Sequence, residues 1–548
     1  MKAQTLVERP GSLGADRLLW TDTVFIATLV VVSGLSAFVG IAAPLGSFAS
    51  DTFFLLDNAY RVVQGQIPHR DFSSAWGPIM YLIDAAGLRL SGMRPTGLGH
   101  ANAVFGVLLA TWSFLLARSR WSPAAACAVG VYTILLITAP FPLGYAPLDF
   151  SYAMVYNRYG YAIFGIILIE CAAVALPTRT WIRQRTAGAI STGIGLGLLA
   201  FLKITYAIVA IPFIGLLMIG VRSGRMRRLI AVAGGFAICS ALILSYLRFD
   251  VPDILRDLAI AASARPMTLQ LSSLTQVLIV AQNVPLLLLV GLLCASKAGA
   301  FQERPTRRQA VLLVLLTVAA GSLLLLTNQQ PNAFPLNVYA AVVLAAGSAY
   351  RSYEAEKSVK WRPGLATVLL LALCFVPLSE EDVISLTGAT LQRQWPTRPN
   401  VTSLAIPERG THLFFAPWVG IPKTNGAEYV QSLNEGLELI RRHCGGRDGV
   451  LTFDMFNPFN YLLNRRSPRG GFAAAAYDYV YSDAAHPTAE RFFGDTTYML
   501  IGKYDEANAD REAELNNVLG PMRIYGAALR ARFTPVAQTQ HWVLWRRK

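Results

Sequence analysis

The sequence predicts a polytopic, all-α membrane domain at residues 1–378, of about 11 to 13 transmembrane helices, followed by a small soluble α/β domain at 379–548. Three observations carry that reading. Apolar runs of the ~20 residues needed to cross a bilayer recur through the first part. Only 44 of its 378 residues are charged, 12%, against 37 of 170, or 22%, in the second. The connections between runs are alternately rich and poor in Lys and Arg, as the basic excess on cytoplasmic sides requires. Fourteen units of the net charge of +15 therefore belong to connections between apolar runs, which excludes nucleic acid as the reason for the basic balance.

Spans are expected near 22–44, 97–117, 122–140, 159–177, 187–202, 204–221, 229–246, 273–296, 309–327, 335–350 and 363–378. The first exceeds the roughly 7–15 residues of a signal-peptide core. The "SFAS" behind it is a poor cleavage site, so it reads as a retained span. The stretch 76–91 is short and holds Asp84 and Arg89, and its status decides the parity. With the N-terminus (Lys2, Arg9, Arg17) inside, the clusters Arg118/Arg120, Arg179–Arg185, Arg222–Arg228, Lys297–Arg308 and Arg351–Arg362 share its side, and with those three residues hold 20 of 29 basic residues. The opposite connections hold Arg61, Arg70, Arg158, Lys203, Arg248, Arg256 and Arg265. This bias requires an odd number of crossings and places the tail and the first loop, 45–76, outside.

In the tail, Val430, Leu433, Leu437 and Ile440 repeat at helical spacing within 427–443. Strand-like runs at 449–453 and 496–502, a helical stretch from 505 to 519 and the terminal HWVLW complete a small α/β domain. Five cysteines lie in apolar runs and only Cys444 in the tail, so no disulfide-stapled scaffold is expected. The six histidines have no zinc-site spacing. "GIGLG" at 193–197 lacks the strand and acidic partner of a nucleotide loop and reads as helix packing by small residues. The absence of a Walker A pattern argues against an ATP-driven pump.

Chemistry is expected at the outer face, where irregular backbone can line a cavity. The first loop concentrates Asp51, Asp57, Arg61, His69, Arg70 and Asp71. Its acidic residue just after the first span, the "VVQGQIP" about fourteen residues on, the "RDF" and the "GP" opening the next apolar stretch resemble the first periplasmic loop of GT-C glycosyltransferases. More narrowly, the chain is similar to the bacterial branch with protein mannosyltransferase and aminoarabinose transferase architecture. The tail segment FDMFNPFNYLLNRRSPRGG, 453–471, also resembles the soluble domain of bacterial members. The resemblance implies a GT-C-like fold in the bacterial inner membrane, with the N-terminus cytoplasmic and the tail periplasmic. It further implies a polyprenyl-phosphate-linked sugar as donor and a first-loop carboxylate as base, the position Asp51 matches best. Thr52 follows Asp51 where the family pattern has a second acidic residue, and no outer loop carries DxD, so a divalent cation stays an open possibility and no other cofactor is implied.

The residues make sense of such chemistry on their own terms. Transfer to a hydroxyl needs a base for its proton and cations for the departing phosphate. Asp51 is the base of this reading, with a helix N-cap as its structural alternative. Asp71 is either a second acidic site residue or a loop anchor. Asp57 and Arg61, four apart on a helix, suit a local ion pair. Lys203, an isolated cation amid GLGLLAFLKITYAIVAIP, falls at an outer turn if 187–221 is two spans, where it meets a lipid phosphate or snorkels. Arg158, Arg61 and Arg70 are further phosphate-binding residues of the reading. Tyr156 and Asn157 stand beside Arg158 as substrate contacts, with an interfacial anchor as the alternative for the tyrosine. Asn328 and Gln329 lie in a polar outer turn suited to a sugar or simply to solvent. The acceptor is a glycan, a lipid or a protein. Two other classes compete: a transporter or flippase of lipid-linked sugars, which would show paired repeats and midplane ionisable residues, and a non-catalytic assembly protein of the envelope.

Overall fold

The computed structural model describes residues 12–40, 45–46, 48–175, 182–219, 224–264, 304–328, 333–355, 365–394, 402–404, 409, 413–416, 426–503 and 512–548. The described part before residue 395 is helical. Helices α1 (Ser12–Val39), α2 (Ala49–Val63), α3 (Pro78–Leu90), α4 (Gly97–Arg118), α5 (Pro123–Thr138), α6 (Val155–Ala175), α7 (Ile182–Leu202), α8 (Ile204–Ile219), α9 (Arg225–Tyr246) and α10 (Val251–Ala264) follow one another. After them come α11 (Arg304–Asn328), α12 (Pro335–Ala355) and α13 (Leu365–Gln394). Local chemistry sets several starts. Pro78 and Pro123 occupy first-turn positions, where a missing N–H costs nothing, and Ser122 caps α5 by accepting from Ala125 N.

Helix α6 is the centre of the bundle. Tyr161, Phe164, Ile167 and Leu168 are wholly buried, because α4, α5, α7, α8, α11 and α12 pack around it, and its charged Arg158 and Glu170 are buried in ion pairs with Asp382 and Arg120. Among the described residues three helices are long and apolar enough to cross a membrane, Trp20–Val39, Gly97–Arg118 and Arg225–Tyr246. Five further apolar helices are shorter: Pro123–Thr138, Thr186–Leu202, Ile204–Leu216, Gln309–Leu325 and Pro335–Ala346. Counted on the described residues alone, these are fewer than the 11 to 13 spans expected. The expected spans 187–202 and 204–221 are α7 and α8, parted at Lys203. The expected span at 273–296 lies outside the described residues. The 76–91 stretch forms α3, whose 13 residues reach about 20 Å, short of the ~30 Å hydrocarbon core.

Helix α13 runs through residue 378, where the charge density changes, and ends only at Gln394. Beyond it, a two-residue pairing of β1 (Thr402–Ser403) with β2 (Phe414–Phe415) precedes a compact α/β unit. Its helix α14 (Gly426–His443) buries the four residues that the periodicity selects. Strands β3 (Val450–Phe453), β4 (Tyr498–Gly502), β5 (Phe533–Gln538) and β6 (Trp542–Arg547) form a mixed sheet in the order β3-β4-β6-β5, with β3 and β4 parallel and the other pairs antiparallel. The helix expected at 505–519 is described from Glu512 to Arg532, and HWVLW supplies β6.

Candidate functional site

The first loop and the tail are joined along their backbones. Gly470 N donates to Asp71 O (2.7 Å), Ser73 N to Gly471 O (3.0 Å) and Ala473 N to Ser73 O (2.8 Å). Gly470 and Gly471 have φ of +112° and +68°, a region that disfavours side chains. A Cβ on Gly470 would also stand 2.6 Å from Phe492 O. The RGG of the tail segment is thus what lets it run against residues 71–73. Gln64 and Gln66 reinforce the joint, donating to Arg465 O (2.8 Å) and Ser467 O (2.7 Å). Asn58 Nδ2 donates to Ala473 O (2.9 Å).

Asp51 lies in the first turn of α2. It is not the N-cap: Phe48 holds that position in a left-handed conformation, and Asp51 N donates to Phe48 O (3.0 Å). A carboxylate there complements the positive end of the helix dipole. The residue is partly open to solvent, and among the described residues no hydrogen bond to its carboxyl is found. Burial of the carboxyl pushes its pKa from 3.8 up to about 7. Its charge reaches Tyr145 and Tyr156.

Tyr156 also stands beside Lys203. The Lys203 Nζ stands 5.0 Å from the centre of the Tyr156 ring, a cation–π contact, and Trp76 packs on the same ring at 5.9 Å. Lys203 occupies the single-residue break between α7 and α8. Gly77 holds that turn against the first loop: its N–H donates to Leu202 O (3.0 Å), and a Cβ on Gly77 would meet Phe201 O at 1.8 Å. Asn157 is buried with its Oδ1 accepting from Tyr206 (3.3 Å), and among the described residues its Nδ2 has no partner. Lys203 and Tyr156 thus touch, Asn157 follows Tyr156 on α6, and the charge of Asp51 acts on Tyr156.

The other expected site residues are engaged elsewhere. Arg61 is wholly buried, pairs with Asp57 (3.2 Å), donates to Gly470 O (3.1 Å) and lies over the Phe72 ring. Burial raises Asp57 to about 6, outweighing the opposing pull of Arg61. Arg70 pairs with Asp71 (2.9 Å), which also accepts from Ile67 N (2.8 Å). Burial opposes ionisation of Asp71, but these hydrogen bonds and the nearby Arg469 win and hold its carboxyl below the usual range. Arg158 donates to Phe141 O and Leu136 O and pairs with Asp382 on α13 (2.8 Å), so its guanidinium is committed inside the bundle. Gln329 and the side chain of Asn328 lie outside the described residues.

A second polar group was not apparent from the sequence. His69 Nδ1 lies 3.2 Å from Asp257 Oδ2 on α10, and the same oxygen accepts from Ser74 N (2.9 Å). His69 Nε2 is buried and, among the described residues, has no partner. Arg256 and the tail residue Arg491 both donate to His69 O, and Arg491 reaches Asp253 (3.5 Å). The one available signal is the density of charge in RFDVPDILRD, 248–257, directly behind an expected span. Among the described residues no three His, Cys, Asp or Glu side chains converge as a metal site.

No protein-family model matches the chain, and no curated protein does. Among solved structures it is similar to ArnT from Cupriavidus metallidurans bound to undecaprenyl phosphate, at 12% identity and a TM-score of 0.48 over 95% of this chain and 97% of that one. The apo state of that protein gives 11% identity and a TM-score of 0.47 with the same coverage. The archaeal oligosaccharyltransferase AglB from Archaeoglobus fulgidus, in complex with an inhibitory peptide and a dolichol-phosphate, gives 12% identity and a TM-score of 0.39 over 87% of this chain and 69% of that one. Likenesses this remote decide neither fold nor chemistry.

Proposed function

We propose that the chain is an integral-membrane glycosyltransferase of GT-C type that moves a sugar from a polyprenyl-phosphate donor to a cell-envelope acceptor at the periplasmic face. The observation that carries the reading is Asp51, a partly open carboxyl raised to about 7 and near the Tyr156 ring that Lys203 also touches. A base is most effective with a pKa near the working pH. Asp51 takes the proton of the acceptor hydroxyl as the acceptor oxygen bonds to the anomeric carbon. The bond from that carbon to the phosphate oxygen breaks, its electron pair leaves with the polyprenyl phosphate, and Lys203 stabilises that anion. The buried Asn157 Nδ2 is a further donor for the substrate. Arg61, Arg70 and Asp71 hold the loop against the tail, and Arg158 holds α13 to the bundle.

Residues 1–378 with the rest of α13 form the membrane domain, and the tail shares the periplasmic side with the first loop, a reading supported by the backbone joint between 71–73 and 470–473. The test is genetic. The gene is deleted, envelope glycan composition is compared after rescue with wild type and with Asp51→Asn, and immunoblots establish equal amounts in the membrane. Return of a lost sugar with wild type alone supports the proposal; full rescue by Asp51→Asn removes Asp51 as base.

A further inference from the structure

Helix α10 carries its polarity the wrong way round for a helix facing water. Asp253, Arg256 and Asp257 turn inward to His69, Ser74 and Arg491. Val251, Pro252, Leu255, Ala259 and Ala262 face outward, with Leu255 61% exposed. The outward residues 251, 255, 259 and 262 follow the i, i+4, i+8, i+11 spacing of one helical face. The preceding helix, α9, is long and apolar enough to cross a membrane and exposes Leu229, Ile230, Phe236, Ile238 and Leu242. Between the two, Arg248 and Phe249 adopt left-handed φ of +56° and +57°, a tight turn that presents the Phe249 ring outward, 62% exposed. With 14 residues, α10 is about 21 Å long and too short to cross.

We infer that α10 lies along the outer membrane surface, with Phe249 and the Val251–Leu255–Ala259–Ala262 stripe in the hydrocarbon boundary of the outer leaflet. Amphipathic helices bind membranes this way, apolar face down. Two observations favour lipid as the occupant. The helix just before the Arg248–Phe249 turn exposes an apolar row of its own, and the stripe is made of small and aliphatic side chains without a charge. The inward face then fastens the first loop, through His69 and Ser74, to an element resting on the membrane. This inference rests on the membrane reading above.

The test uses full-length chain in liposomes, with single cysteines at Leu255→Cys and Ala259→Cys labelled by an environment-sensitive fluorophore. The parent chain, whose described cysteines are buried or half-buried, supplies the blank. Blue-shifted emission, quenched by spin-labelled lipid and insensitive to aqueous iodide, is the expected result at both positions. Quenching by iodide, or by neither agent because protein covers the stripe, overturns the inference. Leu242→Cys on α9 separates the two claims: if it escapes the lipid quencher as well, the membrane reading itself fails, whereas lipid quenching on α9 alone refutes only the placement of α10.

Discussion

If Asp51 is the base, the pH dependence of transfer should report its displaced pKa. Only the ionised carboxylate accepts a proton, and an Asp at 3.8 would be fully ionised above pH 6. With the value raised to about 7, the ionised fraction falls roughly tenfold from pH 8 to pH 6. The assay is transfer from a purified polyprenyl-phosphate donor in proteoliposomes, with kcat/KM followed from pH 5 to 9, since that ratio reports the free enzyme. A midpoint near 7 is expected for wild type and also for Asp57→Asn, whose own carboxyl lies near 6. Stability moves the other way. A raised carboxyl pKa stabilises the fold below 3.8, and that contribution is lost as pH rises through about 7. Asp51→Asn is always neutral. It should melt like wild type at pH 3.5 and above it at pH 8, while losing roughly 10²- to 10⁴-fold in rate. A kcat/KM that stays flat down to pH 5 would refute the assignment.

Lys203→Met should raise the donor KM by roughly 10- to 150-fold, the equivalent of about 1.5–3 kcal/mol for a hydrogen bond to a charged group, with expression unchanged; normal donor kinetics would remove Lys203 from the site. Gly77→Ala forces a methyl group to within 1.8 Å of Phe201 O. It should cost about 1–3 kcal/mol as overpacking and lower activity by separating the Lys203 turn from the first loop, read as melting temperature and rate together. Arg61→Met leaves the Asp57 carboxylate buried alone and should destabilise by about 3–5 kcal/mol. The loss should shrink at pH 5, where Asp57 is protonated, and largely disappear in the Asp57→Leu/Arg61→Met double variant. Equal melting of the single and double variants at pH 8 would show that the pair is not what holds that stretch.

Local pattern was legible in the chain; long-range pairing was not. Val430, Leu433, Leu437 and Ile440 announced a buried helix face because periodicity depends only on neighbours in sequence, and the isolated Lys203 announced a break because a cation interrupts an apolar run. His69 and Asp257, by contrast, are 188 residues apart, and Arg158 and Asp382 are 224 apart. The second pair also explains the boundary expected at 378. The acidic residues that begin the charge-rich tail are part of α13, and Asp382 is neutralised by Arg158 inside the bundle. A rise in charge density marks the end of apolar sequence and need not mark the end of a helix.

If Asp51 is the base, long-range pairing also links it to the tail. Asp51 follows a short segment whose backbone is fixed on two sides. Leu45 N donates to Phe414 O (2.8 Å) and Leu45 O accepts from Ala416 N (2.9 Å), while Gly46 N donates to Phe150 O (2.8 Å). Phe53 behind it packs on Phe415 and Tyr429 of the tail. These contacts flank Asp51 in the chain, and desolvation alone raises its carboxyl. A carboxyl in an open loop would remain near 3.8 and make a weak base. Burial raises the Asp51 carboxyl, and the segment before it is held to a tail some 370 residues away in the chain; if Asp51 is the base, changes in that packing should alter its basicity.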